Sequence, residues 1–321
     1  MPDPDFLERL HAGFAVPQHE VIAFVEGEAG SSVVGIKRLT LGDENEVYRV
    51  VLATSELPVY VRIRKPGADT FDAEVWAMDR ARSGGVAVPR VLALTDFAAA
   101  EGARSAMLLA GAPGRPLAKV LLALSVDQRR LALTNLGRTL ATLHAIRVPG
   151  VARPAQDGGW PDPGDVLDAF VVERRGQRAD LLAAGLSEAE TVRIVEMIGA
   201  SPDIPSPGEP VLCHGDLHAE HVFIDDQLEV SGVIDWGLWR GGSAVDDLST
   251  MFIQYPSDDF ATIFAGHGYQ DGADFRRRLA LATINQMVGH VAWSVPIGNT
   301  RGNVHGAAVL RTALQQLAEP N

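Results

Sequence analysis

The run His214-Gly215-Asp216-Leu217-His218-Ala219-Glu220-His221 is followed by Ile234-Asp235-Trp236, so that Asp235 lies nineteen residues after Asp216. Between the two aspartates, His221-Val-Phe-Ile-Asp225 and Val230-Ser-Gly-Val-Ile-Asp235 read as short apolar strands, with Asp226 to Glu229 as the turn. This hairpin constrains the fold more than any other segment, because it must return Asp235 to the loop that holds Asp216. Two carboxylates brought together in this way suit phosphoryl transfer. One orients a hydroxyl nucleophile, and the other holds Mg²⁺ against the phosphates of a nucleotide.

Upstream, the pattern predicts a small antiparallel sheet with a helix. Residues 6 to 28 read as partly helical; Ile36 to Leu41 and Val47 to Leu52 then read as strands about a turn at Gly42-Asp-Glu-Asn45. Val59-Tyr-Val-Arg-Ile-Arg64 is a third strand, whose alternation puts Val59, Val61 and Ile63 on one face and Tyr60, Arg62 and Arg64 on the other. Asp72 to Arg82 is expected to be a helix carrying Glu74 and ending at Gly84-Gly85. Val88 to Leu94 and Ala106 to Ala110 add two strands.

Beyond Gly111 to Gly114 the character turns helical. Ser125 with Gln128 forms a capping box before a stripe of Leu133, Leu136, Leu140 and Leu143, and the helix is expected to reach about Ile146. Residues 148 to 164 read as a long surface loop, 165 to 184 as helix, and Ser187 with Glu190 as a second capping box opening a helix to about Ile198. A connector with four prolines spans 201 to 210. After Asp247, helical segments alternate with short loops, and Phe252, Tyr255, Phe260, Phe264, Tyr269 and Trp293 are read more readily as core than as pocket. The expected division is residues 1–110 as one lobe and 111–321 as the other.

Twenty-eight basic against forty-one acidic residues leave a formal charge of −13, with no basic run to reverse it, which argues against a nucleic-acid partner. The chain carries one cysteine, Cys213, so no internal disulfide forms, and it reads as a buried strand residue. The N-terminus lacks the pattern of a signal peptide and no stretch has the length and apolarity of a membrane span. The expectation is a cytoplasmic protein without membrane partners.

Taken together, His214-Gly-Asp216, Gly232-Val-Ile-Asp235-Trp236 and Gly242 to Asp247-Leu248 resemble the signature of the aminoglycoside phosphotransferase family, antibiotic kinases that share the protein-kinase fold. The resemblance runs from about residue 36 to about 250. It implies a two-lobe α+β protein, an N-terminal antiparallel sheet with a helix and a mainly helical C-terminal lobe. It also implies ATP or GTP as donor, Mg²⁺ as metal, and a nucleotide and a small-molecule acceptor as partners. By that resemblance Asp216 is the catalytic carboxylate, Asp235 a metal ligand and His221 its companion. Gly42 and Asn45 belong to the nucleotide loop, and Arg62 braced by Glu74 meets the phosphates. Leu109 and Ala110 lie where a backbone would bond the purine edge, and His214 and Asp247 support the catalytic loop. Leu140-Ala-Thr-Leu-His144 resembles the long helix of the second lobe.

Two positions depart from the commonest pattern. The basic residue of the third strand is arginine, which approaches phosphate differently from lysine. The fifth residue after Asp216 is His221 where asparagine is usual, a histidine that macrolide phosphotransferases of the same superfamily share, so the resemblance leans toward a macrolide-like acceptor. Other readings stay open. The three loop histidines could order the loop or hold zinc, although their spacing matches no zinc motif. His218 could lie near the acceptor or be structural, and Asp258 and Asp259 could meet a sugar amine or cap a helix. The same fold could serve a metabolite such as choline, homoserine or a sugar, or only bind nucleotide.

Overall fold

The computed structural model describes residues 15–40, 45–98, 102–155, 158–201, 209–270 and 272–317. An opening helix, α1 (Gln18–Ala29), packs on a five-stranded antiparallel sheet made of β1 (Val33–Leu39), β2 (Asn45–Leu52), β3 (Val59–Arg64), β4 (Val91–Phe97) and β5 (Arg104–Ala110), in the order β1-β2-β3-β5-β4. The helix α2 (Asp72–Ser83) connects β3 to β4. The predicted alternation of β3 holds. Val59, Val61 and Ile63 join Val50, Ala106 and Leu108 in the core under α1, while Arg62 and Arg64 face the other way, toward Glu74 of α2. Each fully buried aliphatic side chain there contributes roughly 1.5–3 kcal/mol.

A short strand β6 (Arg115–Pro116) and the one-turn helix α3 (Leu117–Val120) lead into the second lobe, whose central helix is α4 (Val126–His144). The capping box at its start is complete, with Ser125 accepting from the Gln128 N–H and the Gln128 side chain accepting from the Ser125 N–H. Leu133, Leu136, Leu140 and Leu143 all enter the core. Then follow α5 (Pro163–Gly176), α6 (Arg178–Ala183), α7 (Glu188–Gly199) and β7 (Val211–Cys213). The hairpin β8 (Val222–Ile224) and β9 (Val230–Val233) comes next, then a 3₁₀ turn at Trp236–Leu238 and β10 (Arg240–Gly242). The chain closes with α8 (Ala244–Gln254), α9 (Ser257–His267), α10 (Ala273–Ser294) and α11 (Thr300–Gln316). Strands β6, β8 and β9 form one small sheet, and β7 pairs with β10.

Several boundaries differ from expectation for local reasons. The strand expected at 88–94 runs Val91–Phe97, since Pro89 has no N–H for a ladder and pairing with β5 begins at Val91. The helix expected over 165–184 divides at Gln177 into α5 and α6. It also begins earlier, because Asp162 caps it through the Gly164 N–H with Pro163 in the first turn. Of the helix expected over 6–28, Gln18 onward is helical and residues 6–14 fall outside the described residues; the turn residues Gly42, Asp43 and Glu44 do as well.

Candidate active site

The loop between β7 and β8 is positioned from below. Asp247, fully buried near the start of α8, accepts the backbone N–H of His214 on Oδ2 and of Gly215 on Oδ1, both at 2.8 Å. His144, the last residue of α4, meets the same Oδ2 through Nε2 at 3.1 Å. Burial alone would raise the Asp247 carboxyl, but the hydrogen bond and charge of His144 and the loop amides outweigh it and hold it at about 2. Gly215 has φ +81°, and a Cβ there would stand 2.0 Å from the Leu238 carbonyl oxygen, so the loop lies directly against the turn that follows Asp235. The imidazole of His214 is buried between them. Its Nε2 donates to the Ile234 carbonyl at 2.9 Å and its Nδ1 accepts the Asp216 N–H at 3.3 Å, and burial keeps it neutral by lowering its pKa.

On this base the hairpin gathers the reactive groups. Asp216 Oδ1 is 2.5 Å from His218 Nε2. His221 Nδ1 is 2.8 Å from the Asp216 carbonyl oxygen, which can only accept, so Nδ1 carries a proton and Nε2 is the ring nitrogen turned toward Asp235. That Nε2 stands 3.6 Å from Asp235 Oδ2. From the sheet side, Arg62 Nη2 reaches Asp235 Oδ1 at 3.1 Å, while its Nη1 is hydrogen-bonded to Glu74. Arg64 meets the other Glu74 oxygen at 3.4 Å and the Asn45 side chain at 3.5 Å. One chain of contacts therefore links Asn45, Arg64, Glu74, Arg62, Asp235, His221 and Asp216.

The electrostatics follow from that chain. Desolvation alone would raise Asp216, but the hydrogen bond and charge of His218, with His221 and His214 nearby, outweigh it, and the carboxyl sits below its ordinary range. The His218 imidazole is correspondingly raised, since the Asp216 hydrogen bond and charge overcome its own desolvation. Asp235 is lowered too, with Arg62 the main force against desolvation. Both aspartates are thus ionised at neutral pH. The Asp235 carboxylate, 46% exposed, and the Nε2 of the less exposed His221 lie 3.6 Å apart. A carboxylate plus one imidazole, open to solvent, fits a divalent cation that keeps several waters. The nitrogen donor discriminates less in favour of Mg²⁺ than an all-oxygen set.

Of the other anticipated residues, Gly42 lies outside the described residues. Leu109 and Ala110 lie in β5, an inner strand paired on both sides. The Ala110 N–H donates to the Arg90 carbonyl and the Gly111 N–H to the Pro58 carbonyl, so those two donors are engaged within the fold. Asp259 is paired with Arg129 through Nε at 2.8 Å, which ties α9 to α4 rather than presenting a carboxylate to a ligand. Phe252 meets Phe260 edge-on, Phe260 stacks on Phe264 and Phe264 on Phe275, with Tyr269 tilted against both of the last two, whereas Trp293 is 38% exposed beside His290.

Glu46 is a buried acid that the strand pattern does not single out. It accepts from the Val16 N–H, from Tyr48 Oη at 2.6 Å and from Arg104 Nη2 at 3.0 Å, so it fastens the segment before α1 to β2. Its signal is slight: an acid two residues before Tyr48 and four before Val50 on the inward-facing side of a strand. Among the described residues, the one metal-type group with ligand atoms within 4.8 Å of one another is His144, Cys213 and Asp247. Its donors are committed, because Asp247 serves the loop amides and burial pushes the Cys213 thiol well up.

His144 extends the support inward. Its Nε2 faces the carboxylate, and its Nδ1 lies 2.9 Å from His267 Nε2, so the two rings share one hydrogen bond. His267 Nδ1 is buried with no partner among the described residues, and burial with the charge of the adjacent His144 pushes the ring down to about 4. A depressed histidine binds its proton more readily when unfolded, so stability present above the ordinary value of 6.5 is lost as pH falls toward 4. Discounted for partial exposure, the loss is about 1–2 kcal/mol. Thermal unfolding between pH 7 and pH 4.5 should show it, and His267→Gln, whose amide can still hydrogen-bond to His144 but does not titrate, should flatten that limb. Parallel curves for the two proteins would remove the assignment.

Comparison with known proteins comes to the same architecture. The sequence model of the phosphotransferase enzyme family matches residues 35–281. No curated protein matches the chain in sequence. Among solved structures, a thermostable mutant of aminoglycoside phosphotransferase APH(4)-Ia in ternary complex with ADP and hygromycin B is similar at a TM-score of 0.69 and 16% identity, over 94% of this chain and 100% of that one. The GDP complex of wild-type aminoglycoside 2'-phosphotransferase-IIIa is similar at 0.67 and 15%, over 92% and 97%. Macrolide 2'-phosphotransferase MphH from Brachybacterium faecium, as apoenzyme, is similar at 0.55 and 19%, over 91% and 97%. At such identities the likeness establishes the shared two-lobe, kinase-like fold.

Proposed function

The chain belongs to the phosphotransferase enzyme family, and from that premise we propose that it transfers the γ-phosphoryl group of ATP or GTP to a hydroxyl of a small-molecule antibiotic, with macrolide-like acceptors favoured. The observation that carries the reading is Asp235 held from two sides, by Arg62 at 3.1 Å and His221 at 3.6 Å, with Asp216 on the same loop as His221 and its Oδ2 4.0 Å from His221 Nδ1. Residues 1–110 form the nucleotide lobe and 111–321 the lobe that carries the catalytic loop and takes the acceptor.

Asp216, ionised, accepts a hydrogen bond from the acceptor hydroxyl and orients its oxygen toward the γ-phosphorus. As that oxygen bonds to phosphorus, the bond to the β,γ-bridging oxygen breaks, the nucleoside diphosphate leaves, and the hydroxyl proton passes late to the Asp216 carboxylate. Asp235 and His221 are the residues that would hold Mg²⁺, which would supply positive charge to offset that of the nucleotide phosphates. Arg62, braced by Glu74 and in contact with Asp235, is the residue assigned to the same phosphates, and Asn45 and Gly42 are assigned to the nucleotide loop. His218 keeps the Asp216 carboxylate anionic and aimed. His214 and Asp247 hold the loop that carries it.

Two features favour a macrolide-like acceptor over an aminoglycoside. His221 replaces the usual asparagine, and Asp259, one of two acids that could have met a sugar amine, is paired with Arg129. The test is transfer from γ-labelled ATP and GTP, with and without EDTA, to macrolides, aminoglycosides, nucleoside antibiotics and small hydroxylated metabolites, read as an acceptor mass gain. We expect EDTA-sensitive phosphorylation of a macrolide. Turnover only with choline, homoserine or sugars would sink the antibiotic reading, and nucleotide binding without turnover on any acceptor would sink transfer itself.

A further inference from the structure

The loop between α4 and α5 crosses the back of the metal-bearing turn and grips it. Arg153 donates from Nε to the Trp239 carbonyl at 2.6 Å and from Nη2 to the Gly237 carbonyl, so its planar fork spans the turn that begins at Asp235. The adjacent Ala152 exchanges both backbone hydrogen bonds with Gly241, at 2.9 and 2.7 Å, and adopts φ +61° to do so. The approach is close enough that a Cβ at Gly241 would stand 1.9 Å from the Gly150 carbonyl oxygen. From the same loop, Trp160 meets Trp239 edge-on at 6.3 Å and Trp76 at 5.8 Å. Trp76 belongs to α2, the helix of Glu74, and stacks on the buried Trp239 ring at 5.1 Å and 29°.

The gripped turn needs holding. Asp235 sits at φ +63°, ψ +61°, a left-handed conformation that a β-substituted residue adopts only where its surroundings impose it. Local hydrogen bonds tie the turn to itself, Trp239 N–H to the Trp236 carbonyl and Trp236 Nε1 to the Val233 carbonyl. Arg153 ties it to the body of the second lobe, and the tryptophans tie it to α2.

Resting on the phosphotransfer reading above, we infer that Arg153 is a positioning residue for the metal aspartate: by holding the Gly237 and Trp239 carbonyls it fixes the strained backbone of Asp235, while the stacked Trp76–Trp239 pair, with Trp160 edge-on to both, locks the Glu74 helix to the same turn. In protein kinases the equivalent ion pair forms when a mobile helix is brought into place. Here three aromatic rings and one guanidinium hold the two halves together within the fold. A gap of more than eighty residues separates Arg153 from the carbonyls it grips, and nothing in the local pattern of residues 148 to 164 announces it.

The test uses the full chain. Mn²⁺ is titrated into protein saturated with ADP, or separately GDP, and bound metal is read by electron paramagnetic resonance, alongside thermal unfolding. We expect Arg153→Ala to weaken Mn²⁺ binding about 10- to 100-fold, as loss of groups that orient a metal ligand does elsewhere, with acceptor KM and unfolding temperature close to wild type. Arg153→Lys, which keeps the charge but cannot bond both carbonyls as a fork, should fall between, and it carries the test should the alanine variant not fold. Mn²⁺ affinity unchanged in folded Arg153→Ala or Arg153→Lys, against a wild type that binds the metal, would overturn the inference and leave the phosphotransfer reading standing. A wild type that binds no Mn²⁺ with either nucleotide would overturn that reading, and the inference with it.

Discussion

Asp216→Asn should leave a folded, nucleotide-binding protein whose transfer rate falls by about 10²- to 10⁴-fold, the range in which positioned acid–base groups contribute. Asparagine keeps the shape of the side chain and can still accept one hydrogen bond, but it cannot take the proton of the attacking hydroxyl. It also removes the anion that raises His218 and that stands 2.5 Å from its Nε2. Nucleotide affinity, measured by calorimetry, should change little, because the groups proposed to meet the phosphates, Arg62, Glu74 and Asp235, lie on other elements. A variant that keeps more than a tenth of wild-type turnover would remove Asp216 from the chemistry.

The elements around Asp216 are legible in the sequence because each rests on a local rule. The hairpin between the two aspartates follows from apolar pairs broken by turn residues, and both capping boxes are short motifs that the structure reproduces at Ser125 and Ser187. The inward and outward faces of β3 follow from period-two alternation, whereas the pairing of Arg62 with Glu74 rests on the family resemblance rather than on any local period. The Val88 strand is displaced because alternation locates a strand but does not fix where pairing with its neighbour starts. What stays illegible are contacts between residues far apart in sequence that share no period. Glu46 with Val16, Arg153 with Gly237, and Trp76 with Trp160 and Trp239 are of this kind. The aromatic run after residue 250 is only half legible: helical spacing marks it as core, and most of it is, but spacing could not show that Asp259 beside it is bound to Arg129.

Asp247→Asn should cost more stability than any other single change in the second lobe, about 3–5 kcal/mol, because it breaks a buried charge cluster rather than a surface pair. The carboxylate accepts three hydrogen bonds with no solvent to replace them: the His214 amide, the Gly215 amide and His144 Nε2. An asparagine side chain has one oxygen and one NH₂ group, so whichever way it turns it sets a donor against a donor. A buried donor left without an acceptor costs about 1–3 kcal/mol. The loss should appear as a fall in unfolding temperature on the order of 5–10 °C, and as reduced turnover in the fraction still folded, since the two amides released are those that set the path of the loop into Asp216. His144→Gln, which can still donate one hydrogen bond to Asp247, should lose less. Equal unfolding temperatures for wild type and Asp247→Asn would mean that the catalytic loop is held by its contact with the Leu238 turn and by His214, and that the buried carboxylate is not its anchor.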